Sequence, residues 1–239
     1  MDNVIYTAVA RQRGLAREMQ TIANNIANAS TTGFRRESVI FSEHVKKLDE
    51  AGTILSMASA NGRQIHFDQG TTAGTGGTYD FAIEGEGFFQ VETPEGPAMT
   101  RAGAFSRSAE GELVNPDGLR LLDEGGAPIA VPVEARDVRL AADGTLSADG
   151  APIGRIGLVR PVSTDGLSRR GAGLILPGEA GTEPVEEPKI LQGYLEQSNV
   201  NPIEEVARMI DVQRAYEAGQ NFLDLEDSRI RSVVQTLGS

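Results

Sequence analysis

The sequence contains no cysteine and no tryptophan, and only two histidines in 239 residues. Without cysteine there can be no disulfide, no thiolate nucleophile, no iron–sulfur cluster and no Cys-ligated zinc. His44 and His66 stand 22 positions apart, so neither HExxH nor any His pair one helical turn apart exists. Both read as exposed bystanders. Bases are also scarce, with 22 Lys and Arg against 34 Asp and Glu and a net charge of −12. Phosphate binding needs clustered cations, which argues against nucleic acid as a partner. Aromatics make up 5% of the chain, so its core is expected to be mostly aliphatic. No apolar run approaches the roughly 20 residues that span a bilayer. A cleaved signal is not expected either, because Arg11, Gln12, Arg13, Arg17 and Glu18 interrupt the N-terminal apolar residues.

Catalytic motifs are missing as well. There is no GxSxG, no complete GxGxxG and no GxxxxGK[ST]. Gly74-Thr75-Gly76-Gly77 and Gly85-Glu86-Gly87 are better read as turns than as phosphate loops. A glycosidase needs only two well-placed carboxylates, but a chain with 34 acids always offers candidates. The lack of tryptophan weighs further against a sugar cleft. No catalytic, cofactor-binding or metal-ligating residue is expected. A wall-acting hydrolase or a carbohydrate-binding β protein remains the reading from another functional class.

What the sequence does have is periodicity at both ends. Ile5, Ala8, Gln12, Leu15, Met19, Ile22 and Ile26 are spaced alternately by three and four, an a/d seam broken only by Gln12. Ser30-Thr31-Thr32-Gly33 ends that helix, with Gly33 available for a left-handed position. Near the other end Val206, Met209, Gln213, Tyr216, Gln220, Leu223, Asp227, Ile230, Val234 and Leu237 repeat the pattern. Asn201 is placed to cap this second helix, Pro202 to open it, and Glu204 and Glu205 to favour its dipole. Residues 1–47 carry seven bases and four acids, whereas 201–239 carry four and seven. A basic helix facing an acidic one is mildly favourable. The two seams therefore suit an intramolecular hairpin, or one that also docks with other subunits, since Val4, Val9, Ile203, Ile210, Phe222 and Leu225 lie off the seams.

The middle of the chain is β-like. Phe81–Ile83, Phe88–Glu92, Ala98–Arg101, Leu119–Leu122, Ile129–Val133, Val138–Leu140 and Ile156–Arg160 are candidate strands. Turn dipeptides Glu95-Gly96, Glu110-Gly111, Asp117-Gly118, Asp143-Gly144, Asp149-Gly150 and Asp165-Gly166 divide them. The fold class expected is mixed: an all-β central domain, sandwich- or barrel-like, with long terminal helices paired as a coiled-coil-like layer. The expected division is a discontinuous helical domain (1–34 and 199–239), a linker or extended region (35–79) and a β domain (80–198). Within it, residues 70–78 read as a flexible Gly/Thr stretch and 177–188 as a Pro- and acid-rich loop with little to pack.

Three stretches together resemble one family. Ala23-Asn24-Asn25-Ile26-Ala27-Asn28 followed by Ser30-Thr31-Thr32-Gly33-Phe34-Arg35 is similar to the ANNxAN…TTGF signature of bacterial flagellar rod and hook proteins. Residues 80–91, with Thr100-Arg101-Ala102-Gly103-Ala104-Phe105 and Gly111-Glu112-Leu113-Val114, resemble the start of their β domain. Leu195-Glu196-Gln197-Ser198-Asn199-Val200 and Gln213-Arg214-Ala215-Tyr216-Glu217 resemble their C-terminal elements. The order of the matches is the family's, and the opening Met1-Asp2-Asn3-Val4-Ile5-Tyr6 is most similar to the proximal-rod branch. The distal rod and the hook are the neighbouring alternatives.

The resemblance implies a non-enzymatic subunit that stacks into a hollow rod crossing the periplasm and transmits torque to the hook. It implies export through the flagellar type III apparatus without signal cleavage. The implied partners are FlgB-, FlgC- and FlgG-like rod proteins and further copies of the chain. It places assembly contacts on Ile5, Ala8, Leu15, Met19, Ile22, Asn24, Asn25, Ile26, Asn28, Thr32, Gly33 and Phe34 at one end. At the other it places them on Ser198, Asn199, Val200, Val206, Met209, Gln213, Arg214, Tyr216, Leu223, Ile230 and Val234. The asparagine amides are expected to bridge backbones of neighbouring subunits, and the seams to order only on assembly.

Overall fold

The computed structural model describes residues 2–47, 54–171 and 173–237. Met1, positions 48–53 of the expected linker and the last two residues lie outside the described residues, as do the side chains of Val4, His44 and Leu237. The chain divides into two compact units. One comprises Met1–Ala27, Glu37–His66 and Asn201–Ser239; the other comprises Asn28–Arg36 and Phe67–Val200.

The first unit holds both helices, α1 (Asp2–Ala27) and α2 (Pro202–Leu237). Asn201 caps α2 as its position predicts. Its Oδ1 accepts from the Ile203 N–H at 3.1 Å, and its Nδ2 donates to Glu204 Oε1 at 2.9 Å. The helices pack through Leu15, Ile22 and Val212, with Met19, Ile26, Met209, Ala215 and Tyr216 around them. They run antiparallel, since Glu18 pairs with Arg208 and Gln12 reaches Tyr216 and Gln220. The α1 seam faces inward as spaced. On α2 the inward stripe passes through Glu205, Met209, Val212, Tyr216 and Leu223, so Val206 and Gln213 of the expected seam are exposed instead. A straight helix repeats every 3.6 residues, so a strict heptad line drifts off its buried face.

Gln12, the one break in the α1 seam, is accommodated by a gap on α2. A Cβ at Gly219 would meet Gln12 Nε2 at 2.8 Å. The amide Nε2 donates to the Tyr216 carbonyl at 2.8 Å and to Gln220 Oε1 at 3.3 Å, while Oε1 is buried without a partner among the described residues.

Residues 37–47 and 54–65, within the stretch expected as a linker or extended region, form two long strands in the same unit. β1 (Glu37–Lys47) and β2 (Ile54–Ile65) pair antiparallel from Glu37 opposite Ile65 to Lys47 opposite Ile54. A register irregularity at Ile40 and Phe41 interrupts the alternation of faces, which is why no period-2 pattern shows in the sequence.

The second unit is β-rich. It contains β3 (Thr72–Gly74), β4 (Phe81–Ile83), β5 (Phe88–Thr93) and β6 (Gly96–Thr100), followed by short strands as far as Tyr194–Glu196. The largest sheet has six strands in the order 168–170, 174–176, β6, β5, 158–161, 182–184. No sheet of the described residues closes on itself, so the barrel alternative falls. Leu119–Leu122 and Ile129–Val133 contribute isolated bridges rather than strands. All six turn dipeptides carry a glycine at positive φ, as their composition predicts.

Phe81, Phe89 and Phe105 form the aromatic centre of this core, with Phe89 and Phe105 edge to face at 5.7 Å. Aliphatic side chains such as Leu113, Leu121, Leu146 and Ile156 fill the rest, as a chain this poor in aromatics requires. Two connectors depart from expectation. The Gly/Thr stretch is not a loose linker, because β3 pairs with Tyr194–Glu196. The acid-rich loop likewise supplies the edge strand 182–184 and packs Val185 on the core. Both are held by backbone pairing, which composition does not register.

Candidate assembly interface

In the helical unit, Asn25 is the point where three segments meet. The residue is 1% exposed. Its Nδ2 donates to the Glu37 carbonyl at 2.8 Å and to Glu205 Oε2 at 3.0 Å, while its Oδ1 accepts from the Glu37 N–H at 3.0 Å. One amide thus ties α1 to the start of β1 and to the first turn of α2. The amide geometry matters here, because only Asn offers a donor pair and an acceptor at this reach. We expect Asn25→Ala to cost about 3 kcal/mol, since it removes three buried hydrogen bonds at once. Urea unfolding followed by circular dichroism measures it, and a loss under about 1 kcal/mol would remove Asn25 from this role.

In the β unit, three family-like stretches converge on Glu196, which is fully buried. Its Oε1 accepts from Arg35 Nη2 at 2.6 Å and from the Gly70 N–H at 2.8 Å. Its Oε2 accepts from Arg101 Nη1 at 3.1 Å. Arg35 and Arg101 are 1% and 3% exposed, so two guanidiniums share one carboxylate out of water. Burial pushes the pKa of the Arg101 guanidinium down to about 10; Glu196 opposes the drop and Arg35 adds to it. Among the described residues Arg35 Nε and Nη1 and Arg101 Nε have no hydrogen-bond partner. Arg101 lies 5.2 Å from the Phe88 ring centroid, a partial substitute for the lost hydration.

Backbone contacts complete the same knot. The Gly33 N–H donates to the Glu196 carbonyl at 2.8 Å, and the Asn199 N–H to the Phe34 carbonyl at 3.3 Å. Asn199 Oδ1 accepts from the Arg36 N–H at 2.6 Å. Arg169 stacks 4.3 Å from the Phe34 ring centroid and donates to the Arg35 carbonyl. Segment 28–36, which follows α1, is thereby fixed beside segment 196–200, which precedes α2.

The residues expected at assembly contacts therefore separate into three groups. Leu15, Met19, Ile22, Ile26, Met209, Tyr216 and Leu223 face the partner helix, with Ile5 and Ala8 partly covered. Asn25, Gly33, Phe34 and Val200 are buried, and Asn28 Oδ1 accepts from Thr31 Oγ1. Thr32, Ser198, Asn199 and Asn24 are half-buried, while Val206, Gln213, Arg214, Ile230 and Val234 are exposed. The Asn25 amide is spent within the subunit instead of reaching outward.

Periodicity did not reveal Arg35, Arg101, Glu196, Glu37 or Glu205. The available signal was a lone Arg101 and a lone Glu196, of opposite sign, in otherwise neutral segments, whereas Arg35 is followed directly by Arg36 and Glu37. No group of His, Cys, Asp and Glu among the described residues could hold a metal. No helix among them is long and apolar enough to cross a membrane.

Comparison with known proteins now gives these features a common origin. Residues 5–35 match the family described as flagella basal body rod protein, 82–148 the flagellar hook protein FlgE/F/G D1 domain, and 191–236 the flagellar basal body rod FlgEFG protein C-terminal family. The chain is 38% identical to the flagellar basal-body rod protein FlgF of Caulobacter vibrioides, over all of this chain and 99% of that one. It is 37% identical to FlgF of Mesorhizobium japonicum over the same shares. FlgG of Bacillus subtilis is 30% identical over 96% of this chain and 97% of its own length. These relatives are structural proteins, so the hydrolase reading falls away. The chain belongs to the flagellar basal-body rod protein family, as an FlgF-like structural subunit close to FlgG.

Proposed function

We propose that the chain assembles into the proximal rod through its terminal helices, as a coiled-coil-like inner layer, and reaches the periplasm through the type III export apparatus. Its partners are FlgB-, FlgC- and FlgG-like subunits and copies of itself, and its β unit packs as a layered sandwich toward the outside of the rod. In this reading the helical domain is 1–34 with 199–239, and its seams gain full order as subunits join.

One observation carries the proposal. α2 has 36 residues and α1 has 26, so α2 outruns its partner by about 15 Å. Ile230, Val233 and Val234 are exposed on that overhang. An apolar stripe of that kind is stable only against another helix. Replacing all three by serine in the host bacterium should leave the subunit folded and exported but abolish swimming and hook formation. Normal motility of that strain would end the proposal. Circular dichroism of the full chain over a concentration series tests the ordering step. Helical signal must rise with association, and a dilute monomer with full helicity would sink that part.

A further inference from the structure

The solvent faces of the two helices are fitted to each other. On α2, Ile203, Val206 and Ile210 stand exposed, Ile203 to 82%, and Glu217 and Asp224 are exposed further along the same side. On α1 the exposed line runs through Tyr6, Arg13, Ala16, Gln20, Ala23 and Ala27. One face offers large aliphatic side chains followed by acids. The other offers small side chains preceded by a base and a tyrosine hydroxyl. Among the described residues Arg13 and Asp224 make no ion pair, and the Glu217 carboxylate accepts an amide hydrogen bond from Gln213.

Register decides the match. Within the chain α1 and α2 cross with position numbers summing to about 230, as with Asn25 and Glu205. An antiparallel approach of the two outer faces in that same register sets Ile203 over Ala27, Val206 over Ala23 and Ile210 beside Gln20. It also sets Glu217 opposite Arg13 and Asp224 opposite Tyr6. Shifting by one heptad in one direction brings Ile210 onto Arg13, and in the other it leaves Ile203 beyond the end of α1. Only the unshifted register seats all three aliphatic residues and pairs the charges.

We infer that the outer face of α2 docks antiparallel on the outer face of α1 of a second copy, with Arg13 against Glu217. The inference rests on the rod-subunit reading and adds which faces meet and which way they run. The contact joins two different surfaces, so each added copy leaves a free face of both kinds. Such a contact propagates and does not stop at a dimer.

Charge reversal tests it on the full-length chain by sedimentation velocity over a concentration series. R13E and E217R lie at exposed positions, and each alone should weaken self-association roughly fivefold to tenfold. An equimolar mixture of the two, or both changes in one chain, should restore it, because each reversed face then has a reversed partner. Ile203→Ser should weaken association while leaving the helical signal of the dissociated chain as in wild type. If both single variants associate like wild type, or the mixture stays weak, this pairing is wrong even though the rod reading stands. A wild-type chain that stays monomeric throughout overturns the second copy as occupant. The serine variant on the overhang judges the rod reading separately through motility.

Discussion

Glu196→Ala should lower the stability of the β unit by about 3–5 kcal/mol, the largest single effect of any charge removal in this chain. The variant leaves Arg35 and Arg101 facing each other out of water with no anion between them, and it strands the Gly70 N–H. Both arginines are buried, so solvent cannot replace the carboxylate without opening the fold. Urea unfolding reads the loss as a fall in midpoint at unchanged slope. The cause can be separated from the attraction itself. Changing Arg35, Arg101 and Glu196 together to apolar residues of similar length should recover most of the stability, because desolvation of the charges goes with them. A cost under about 1 kcal/mol for Glu196→Ala would mean that water already reaches the cluster.

That cluster also marks how far the sequence could be read. The helices were legible because their apolar spacing is local, and Asn201, Pro202 and Glu204 mark the start of α2 within four residues. Phe81–Ile83 and Val138–Leu140 were legible because bulky residues stand between turn glycines. The strand pair 37–65 was not, since its irregularity at Ile40 and Phe41 breaks the alternation on which a strand reading depends. Strands of two or three residues, such as 106–107 and 113–114, exist only by pairing and carry no pattern of their own. The ion cluster joins positions 35, 101 and 196, so no local pattern shows that these charges meet. Asn25 was singled out for its amide, and in the fold that amide bonds to Glu37 and Glu205 of the same chain. An amide in a signature says that a hydrogen bond is made, and only the fold says with whom.

Gly33→Ala should be nearly as severe, and for a reason that substitution patterns can separate. Gly33 has φ of +69°, which the sequence anticipated from its place after α1. Left-handed backbone alone costs an alanine about 1 kcal/mol. The larger obstacle is contact, because a Cβ at Gly33 would lie 2.2 Å from the Ala102 nitrogen and 2.3 Å from the Arg101 carbonyl carbon. Those are backbone atoms beside a buried arginine, so neither side has room to shift, and the total loss should reach about 4 kcal/mol. Asparagine distinguishes the two causes, since it tolerates positive φ but still carries a Cβ. Gly118, at φ +79° with nothing within 4 Å of the built Cβ, is the matching control. Gly118→Asn should be nearly neutral, whereas Gly33→Asn should cost as much as Gly33→Ala in thermal or urea unfolding. If asparagine rescued position 33, backbone conformation would be the whole effect and the close approach to Arg101 irrelevant. If it does not, this glycine is required because the chain leaving α1 passes directly against Arg101, the residue after β6 and one of the two buried cations. Loss of that passage frees the signature turn from the β unit, and a strain carrying Gly33→Ala should lose motility even where both helices are intact.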